Sequence, residues 1–118
     1  VKDASVVITN PTHFAVAIKY EVGSEGAPII IAMGRGIIAE KIIKLADENK
    51  VVVFQSPLLA RALYFTGEIG KEISENLYSA IASVLAYIFK IERGEETDYP
   101  DFEIPQNMSF DEYGKSIK

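Results

Sequence analysis

Pro11 is the residue that most restricts how this chain can fold, because it interrupts a run of strand-forming residues. Ser5 to Thr9 is mostly apolar and β-branched, and Phe14 to Tyr20 has a similar strand-like character. Proline lacks a backbone N–H and fixes φ at about −65°, so a central strand cannot continue through it. The asparagine before it favours turn positions. The sequence therefore predicts two strands joined by a tight turn at Asn10-Pro11-Thr12-His13.

The rest of the body alternates between strand-like and helix-like segments. Ile29 to Met33 and Val51 to Phe54 are short apolar runs typical of buried strands. Ser56-Pro57 matches an N-cap followed by proline at the first helical position, and Gly67 ends that short helix. A further helix follows Ser74, and another lies between the third and fourth strands. This order predicts an α/β fold in which helices cover a small mixed four-stranded sheet.

The segment between the third and fourth strands is amphipathic. It opens with Gly34-Arg35-Gly36, and oppositely charged side chains four residues apart lie on one face. Apolar side chains recur on the other face, which is predicted to pack on the sheet: Ile38, Ile42, Leu45 and Ala46. Residues 29–54 are therefore predicted to form a right-handed βαβ crossover.

The net charge of −5 belongs to the end of the chain and not to its body. Of 17 acidic and 12 basic side chains, ten of each lie in residues 1–93, whereas residues 94–118 hold seven acidic and two basic. The composition predicts a domain over 1–93 and an acidic, flexible tail over 94–118. Aromatic side chains give the tail a second option, which is to fold back on the domain or dock on a partner: Tyr99, Phe102, Phe110 and Tyr113.

Composition excludes several classes of site. The chain has no cysteine and a single histidine, His13, which excludes thiol nucleophiles, disulfides, Cys-ligated metals and paired-histidine metal sites. We expect no metal and no cofactor. The acidic balance argues against binding to nucleic acid or to an anionic membrane, because both need clustered Lys and Arg. A protein partner is therefore predicted. No apolar run in the sequence approaches the roughly 18 residues that span a bilayer.

The turn Asn10-Pro11-Thr12-His13 holds the one group of residues with a distinct chemistry. An asparagine side-chain nitrogen can attack its own main-chain carbonyl and expel the next residue, because covalent structure holds the two groups together. Pro11 makes that linkage a tertiary amide, which a tight turn can twist. His13 can act as a base towards the Asn10 amide or as an acid towards the Pro11 nitrogen. Thr12 is a lesser candidate, as a hydroxyl or main-chain donor to the oxyanion.

On chemistry alone, the alternative is an ordinary Asn-Pro turn with a structural histidine, but a longer stretch resembles a known family. Residues 6–20, VVITNPTHFAVAIKY, are similar to the hallmark of the FlhB/YscU family of type III secretion export-switch proteins. Residues 57–64, PLLARALY, are similar as well, and the resemblance covers about residues 4 to 91. It is closer to the flagellar branch than to the injectisome branch, which stays an alternative.

The resemblance implies a self-cleaving switch of substrate specificity. Asn10 is expected to cyclise and release Pro11, with Thr12 and His13 completing the site and the two fragments staying associated. This is single-turnover autoproteolysis and not the activity of a multiple-turnover enzyme. The cleavage is expected to let the flagellar export apparatus change from rod and hook subunits to filament subunits.

The resemblance also implies a location and partners. The domain is expected at the cytoplasmic face of the bacterial inner membrane, with membrane helices upstream of Val1. Its expected partners are other export-gate components, a hook-length control protein, and exported subunits or their chaperones.

Two other functions compete with the switch. One is a plain protein-interaction module. The other is a nucleotide-binding α/β domain, since Gly34-x-Gly36-x-x-Ala39 formally fits the dinucleotide fingerprint. The acidic residue expected about 20 positions later is missing, because the next strand ends Phe54-Gln55-Ser56. We therefore expect these glycines to serve the strand-to-helix turn.

Overall fold

The fold was obtained as a computed structural model that describes residues 1–11, 13–21, 23 and 26–117. In those residues a four-stranded mixed sheet is covered by helices, as predicted. Short 3₁₀ turns lie at Glu75–Leu77 and Gln106–Met108. The strands and α-helices, in chain order, are β1 Val6–Asn10, β2 Phe14–Lys19, β3 Ile29–Arg35, α1 Ile37–Glu48, β4 Val53–Gln55, α2 Pro57–Thr66 and α3 Tyr78–Glu92.

The order of strands across the sheet is β3-β2-β1-β4. β1 pairs antiparallel with β2 and parallel with β4, and β2 pairs antiparallel with β3. Strands β1, β3 and β4 therefore run in the same direction, and their carboxyl ends meet at one end of the sheet. The predicted crossover joins β3 to β4 through α1, across two intervening strands.

The sheet separates two apolar layers of different size. One face packs against α2 and α3, and its buried side chains include Ile8, Val16 and Ile18. The opposite face is covered by α1 and carries smaller side chains, among them Ala15 and Ala17. β1 contributes to both layers and lies in the interior of the sheet, so it is protected from solvent on both faces and on both edges.

The predicted apolar face of α1 is only partly correct. Ile42 and Ala46 are buried, but Ile38 and Leu45 are 51% and 45% exposed, and Ala39 is buried instead. Ala39 and Ala46 lie over Ala15, Ala17 and neighbouring strand residues. Small side chains on both sides of this contact let the helix lie close to the sheet, and this rotates the larger isoleucine and leucine away from it.

The chain beyond Gly94 folds back on the body. The ring of Tyr99 stacks on Phe54 with 5.1 Å between centroids, and Met108 is buried in the larger core. This corresponds to the fold-back option that the aromatic residues offered. The division into a domain at 1–93 and a flexible tail at 94–118 stays a prediction.

No helix in the described ranges is both long enough and apolar enough to cross a membrane.

Candidate functional site

The predicted turn between the first two strands is present. Asn10 is the last residue of β1 and pairs with Phe14, so Pro11 and His13 lie in the connection between the two strands. The backbone N–H of His13 donates to the carbonyl oxygen of Asn10 at 2.9 Å, which closes a β-turn across Pro11. Pro11 and His13 are exposed and Asn10 is half-buried. Thr12, the fourth predicted site residue, lies outside the described residues.

The hydrogen bond across the turn is accepted by the main-chain carbonyl oxygen of Asn10, which belongs to the group that cyclisation would attack. The carbonyl carbon of Asn10 is the one that its own side-chain nitrogen would attack, and its oxygen would then carry the developing negative charge. The N–H of His13 already points at that oxygen. A preorganised backbone donor at such a position is the usual form of oxyanion stabilisation. The sequence had suggested a main-chain or hydroxyl donor at Thr12, and the observed donor is one residue further on.

The imidazole of His13 lies close to oxygen atoms of Pro11 and Glu112. Its Nδ1 lies 3.2 Å from the carbonyl oxygen of Pro11, and its Nε2 lies 3.4 Å from Oε2 of Glu112. Both oxygens are hydrogen-bond acceptors. A neutral imidazole has one N–H and donates to one of them, whereas an imidazolium donates to both. Both contacts are hydrogen bonds at the same time only when both ring nitrogens carry a proton.

The turn lies at the end of the sheet where two helices begin. The N–H of Gly36, the residue before α1, donates to the carbonyl oxygen of His13 at 3.0 Å. The N–H of Ser56, just before α2, donates to the carbonyl oxygen of Thr9 at 2.9 Å. Backbone hydrogen bonds therefore fix the chain on either side of the Asn10–Pro11 linkage while the linkage itself remains near the surface.

The glycines of the fingerprint-like segment have structural roles. A Cβ on Gly34 would overlap the side chain of Ile38, and Gly36 has a φ of 58°, in the left-handed region that favours glycine. A bound phosphate would need the N–H of Gly36, but this N–H donates to the carbonyl oxygen of His13. β3 is also an edge strand beside an antiparallel neighbour, unlike the parallel pair at which dinucleotides bind. This geometry favours the strand-to-helix turn over a nucleotide site.

Three residues that received no functional role from the sequence lie at the turn or hold the segment beside it: Glu112, Arg35 and Arg61. Glu112 reaches His13 from 99 positions along the chain. The guanidinium of Arg35 lies 5.2 Å from the ring centre of Phe14, and its Nη2 donates to the carbonyl oxygen of Glu112 at 3.5 Å. Nε of Arg61 donates to the carbonyl oxygen of Phe110 at 2.6 Å. Contacts at such separations have no local sequence signal; the aromatic residues of the tail were the only hint.

The end of the chain forms a small loop that presents Glu112. Oδ1 of Asp111 accepts hydrogen bonds from the N–H groups of Lys115 and Tyr113, both at 2.9 Å. These bonds, that of Lys115 first, hold the pKa of the Asp111 carboxyl below its usual range. Within the described residues, no group of three His, Cys, Asp or Glu side chains is arranged to hold a metal ion.

The chain forms an α/β domain with an Asn-Pro turn after β1, one of its two interior strands, and known proteins share its sequence and fold. Residues 1–88 match the model of the FlhB HrpN YscU SpaS family. The chain is 49% identical over 88 residues to the flagellar biosynthetic protein FlhB of Aquifex aeolicus, covering 75% of this chain and 25% of that protein. It is 38% identical over 116 residues to FlhB of Salmonella typhimurium, covering 93% and 30%. The chain belongs to the FlhB HrpN YscU SpaS family.

Solved structures show the same fold. The cytoplasmic domain of FlhB from Shewanella putrefaciens superposes with a TM-score of 0.83 at 35% identity, covering 92% of this chain and 89% of that one. A mutated EscU C-terminal domain superposes with a TM-score of 0.71 at 30% identity, covering 83% and 92%. The chain spans only 25–30% of the length of the two sequence relatives named above.

Proposed function

We propose that this chain is the self-cleaving part of a substrate-specificity switch in a flagellar type III protein export apparatus. The cleavage separates Asn10 from Pro11. The observation that carries this proposal is the turn itself, in which the Asn10 carbonyl ends an interior strand and accepts the N–H of His13. That carbonyl is held in one orientation with a donor on the oxygen where charge would develop.

The reaction needs no cofactor and is balanced within the chain. Nδ2 of Asn10 attacks the main-chain carbonyl carbon of the same residue and loses a proton. The bond from that carbon to the nitrogen of Pro11 breaks, and this nitrogen gains a proton to become a secondary amine. The first fragment then ends in a succinimide, which water later opens. Covalent attachment of the attacking group removes much of the entropic barrier.

His13 is proposed to act as the general acid towards the departing nitrogen of Pro11. The two acceptors around the ring suit an imidazolium, which has a proton to give. A positioned acid of this kind typically contributes about 10²- to 10⁴-fold. The nucleophile comes from Asn10, so His13 assists the reaction without being indispensable. Thr12 remains a candidate for a secondary role in the turn.

The two fragments are expected to remain associated because β1 is an interior strand. Val6, Val7 and Ile8 are completely buried, and each such side chain stabilises by about 1.5–3 kcal/mol relative to the exposed state. β1 also pairs with β2 on one side and β4 on the other. Breaking the loop at Pro11 removes none of these contacts, so cleavage reshapes a surface turn and leaves the domain folded.

The wider role follows from the family. The superposition on the flagellar cytoplasmic domain has a TM-score of 0.83 at 35% identity, against 0.71 at 30% for the EscU domain, which favours the flagellar branch over an injectisome homologue. We infer a place at the cytoplasmic face of the bacterial inner membrane, with an anchor preceding Val1. The inferred partners are export-gate components, a hook-length control protein and exported subunits or their chaperones.

The central test is the mass of the freshly purified chain in denaturant. The wild type should yield two species, residues 1–10 and 11–118. Asn10→Ala should remain intact, because alanine has no nitrogen to cyclise, while Asn107→Ala, which removes an exposed asparagine from the tail, should cleave like the wild type. An intact wild-type chain, or a cleaved Asn10→Ala chain, would remove cyclisation from the proposal.

The role of His13 is tested by the rate of the same cleavage. His13→Ala keeps the backbone N–H that donates to Asn10 and removes only the ring. We expect cleavage about 10²-fold or more slower but still complete on long incubation. An unchanged rate would exclude the ring from the chemistry, and no cleavage at all would give it a larger role than that of an assisting acid.

A further inference from the structure

We propose that Glu112, carried by the loop at residues 109–117, is a positioning residue for His13 in the cleavage reaction. This inference rests on the proposed function, since it assigns a role to a side chain that touches His13 and not the scissile linkage. The carboxylate lies 3.4 Å from Nε2 of His13. It holds the far side of the imidazole while Nδ1 faces the turn, 3.2 Å from the carbonyl oxygen of Pro11.

The loop that carries Glu112 has its own internal structure. Beyond the two amides that Asp111 accepts, the N–H of Asp111 donates to the carbonyl oxygen of Lys115 at 2.8 Å. The N–H of Ile117 donates to the carbonyl oxygen of Ser109 at 3.1 Å, which closes the base of the loop. Glu112 follows Asp111 directly, so these bonds restrict where its side chain can point.

Three contacts attach the loop to the body beside the turn. Arg61 on α2 donates to the carbonyl oxygen of Phe110 at 2.6 Å, and the ring of Phe110 lies 5.7 Å from that of Phe65. Arg35, at the end of β3, donates to the carbonyl oxygen of Glu112 itself. The loop is therefore attached to the body at Phe110 and again at Glu112. The second attachment is to the end of β3, so the loop is held beside the turn.

The chemistry of the pair supports a positioning role. A carboxylate that accepts from one ring nitrogen restrains rotation of the imidazole and stabilises the imidazolium, the form that can donate a proton. The carboxylate of Glu112 faces this ring, and Arg35 contacts the backbone carbonyl of Glu112. His13 and Glu112 are each about half exposed, and pairs of that kind contribute modestly. The expected effect on the cleavage rate is therefore about two- to fivefold.

The rate comparison uses Glu112→Gln, which keeps the shape of the side chain and removes its charge. The chain is made by cell-free synthesis, samples are quenched in denaturant at intervals, and intact chain is separated from residues 11–118 by mass. Glu112→Gln should cleave about two- to fivefold more slowly than the wild type. Glu103→Gln removes an exposed carboxylate from the same tail and should cleave at the wild-type rate.

A double-mutant cycle separates positioning from a general structural effect. In a His13→Ala background there is no ring to orient, so Glu112→Gln should cause no further loss. If Glu112→Gln slows cleavage equally with and without the ring, it acts on the fold of the turn and the inference is overturned. An unchanged rate in the wild-type background overturns it as well.

A spectroscopic measurement gives an independent readout. His13 is the only histidine in the sequence, so its ring signals in an NMR spectrum need no separation from others. In uncleaved Asn10→Ala protein, Glu112→Gln should shift these ring signals and Glu103→Gln should leave them in place. Unshifted signals would contradict the contact. Failure of the proposed function appears differently, as an intact wild-type chain or a cleaved Asn10→Ala chain, whatever residue stands at 112.

Discussion

Two segments of the chain meet at the turn Asn10 to His13, and the molecule holds them in opposite ways. β1 enters the turn from the interior of the sheet, with Val6 to Ile8 fully buried and a strand paired on each side. The loop at residues 109–117 reaches the turn from outside, through backbone carbonyl contacts, an aromatic contact and a half-exposed ion pair. One attachment consists of apolar burial and sheet pairing, whereas the other is mainly polar.

The two kinds of attachment suit two different roles: β1 would retain the first fragment, whereas the loop would adjust the position of the His13 ring. Retention of residues 1–10 after the proposed cleavage would depend on β1, whose contacts are apolar burial and sheet pairing and, in the described residues, involve no ion pair. The contact between Glu112 and His13 joins two half-exposed side chains of opposite charge type, so salt screens it readily. Three changes test this contrast between strand and loop.

The largest effect is expected at β1. Ile8→Ala removes a completely buried side chain that packs with α2 and α3 residues, and such truncations typically cost about 2–5 kcal/mol. The free energy of unfolding should fall by that amount in denaturant titrations of uncleaved Asn10→Ala protein, and the cleaved form should release residues 1–10 more readily in size-exclusion chromatography. Ile38→Ala, at a half-exposed position on α1, is the control and should change both little. Equal losses at the two positions would contradict the importance of β1 burial.

A smaller effect is expected where the loop joins the body. Arg61→Ala removes the charged donor to the carbonyl oxygen of Phe110, and a bond of this kind contributes about 1.5 kcal/mol. Amide hydrogen exchange in residues 109–117 should accelerate by roughly tenfold, while exchange in β1 stays unchanged. Arg93→Ala breaks an exposed pair with Glu95 and serves as the control. Faster exchange in β1 with Arg61→Ala would show that loop and strand are not independent.

The smallest effect concerns acid and the loop alone. The pKa of Asp111 is lowered in the folded loop, so its carboxylate contributes stability above the unfolded value of about 3.9, and this is lost as pH falls through the folded pKa. Below pH 4, the amide signals of Tyr113 and Lys115 should move towards positions of an unstructured chain before those of β1 change. In Asp111→Asn the side-chain oxygen still accepts both amides but does not titrate over this range. The same acid transition in that variant would rule out Asp111 as its cause.

Much of the sheet and the helices could be predicted because their signals are local. Ser56-Pro57 marked the start of α2 correctly, and the helix ends at Thr66, just before Gly67. Ser74 accepts the N–H of Asn76, although it opens a 3₁₀ turn before α3 begins at Tyr78. The turn at Pro11 followed from proline geometry. These features depend on neighbouring residues, which a sequence displays directly.

The errors and omissions arose where distant residues decide the outcome. Helical periodicity placed Ile38 and Leu45 towards the sheet, but alanines on β2 and α1 set which side of the helix can approach it. Glu112 is one of seven acidic residues in the tail, and the composition of the tail does not distinguish Glu112 from the other six. Only the fold of the loop at 109–117 places it at His13.

The position of β1 also has a mechanical consequence. A pull on Val1 along the strand axis would load the hydrogen bonds to β2 and β4 in shear, so that they resist together and not one after another. Before cleavage the same pull is shared with the covalent chain at Pro11. After the proposed cleavage, the load would fall on non-covalent contacts, chiefly the two ladders and the buried side chains of this five-residue strand. The sheet would then act as a non-covalent coupling between residues 1–10 and the rest of the domain.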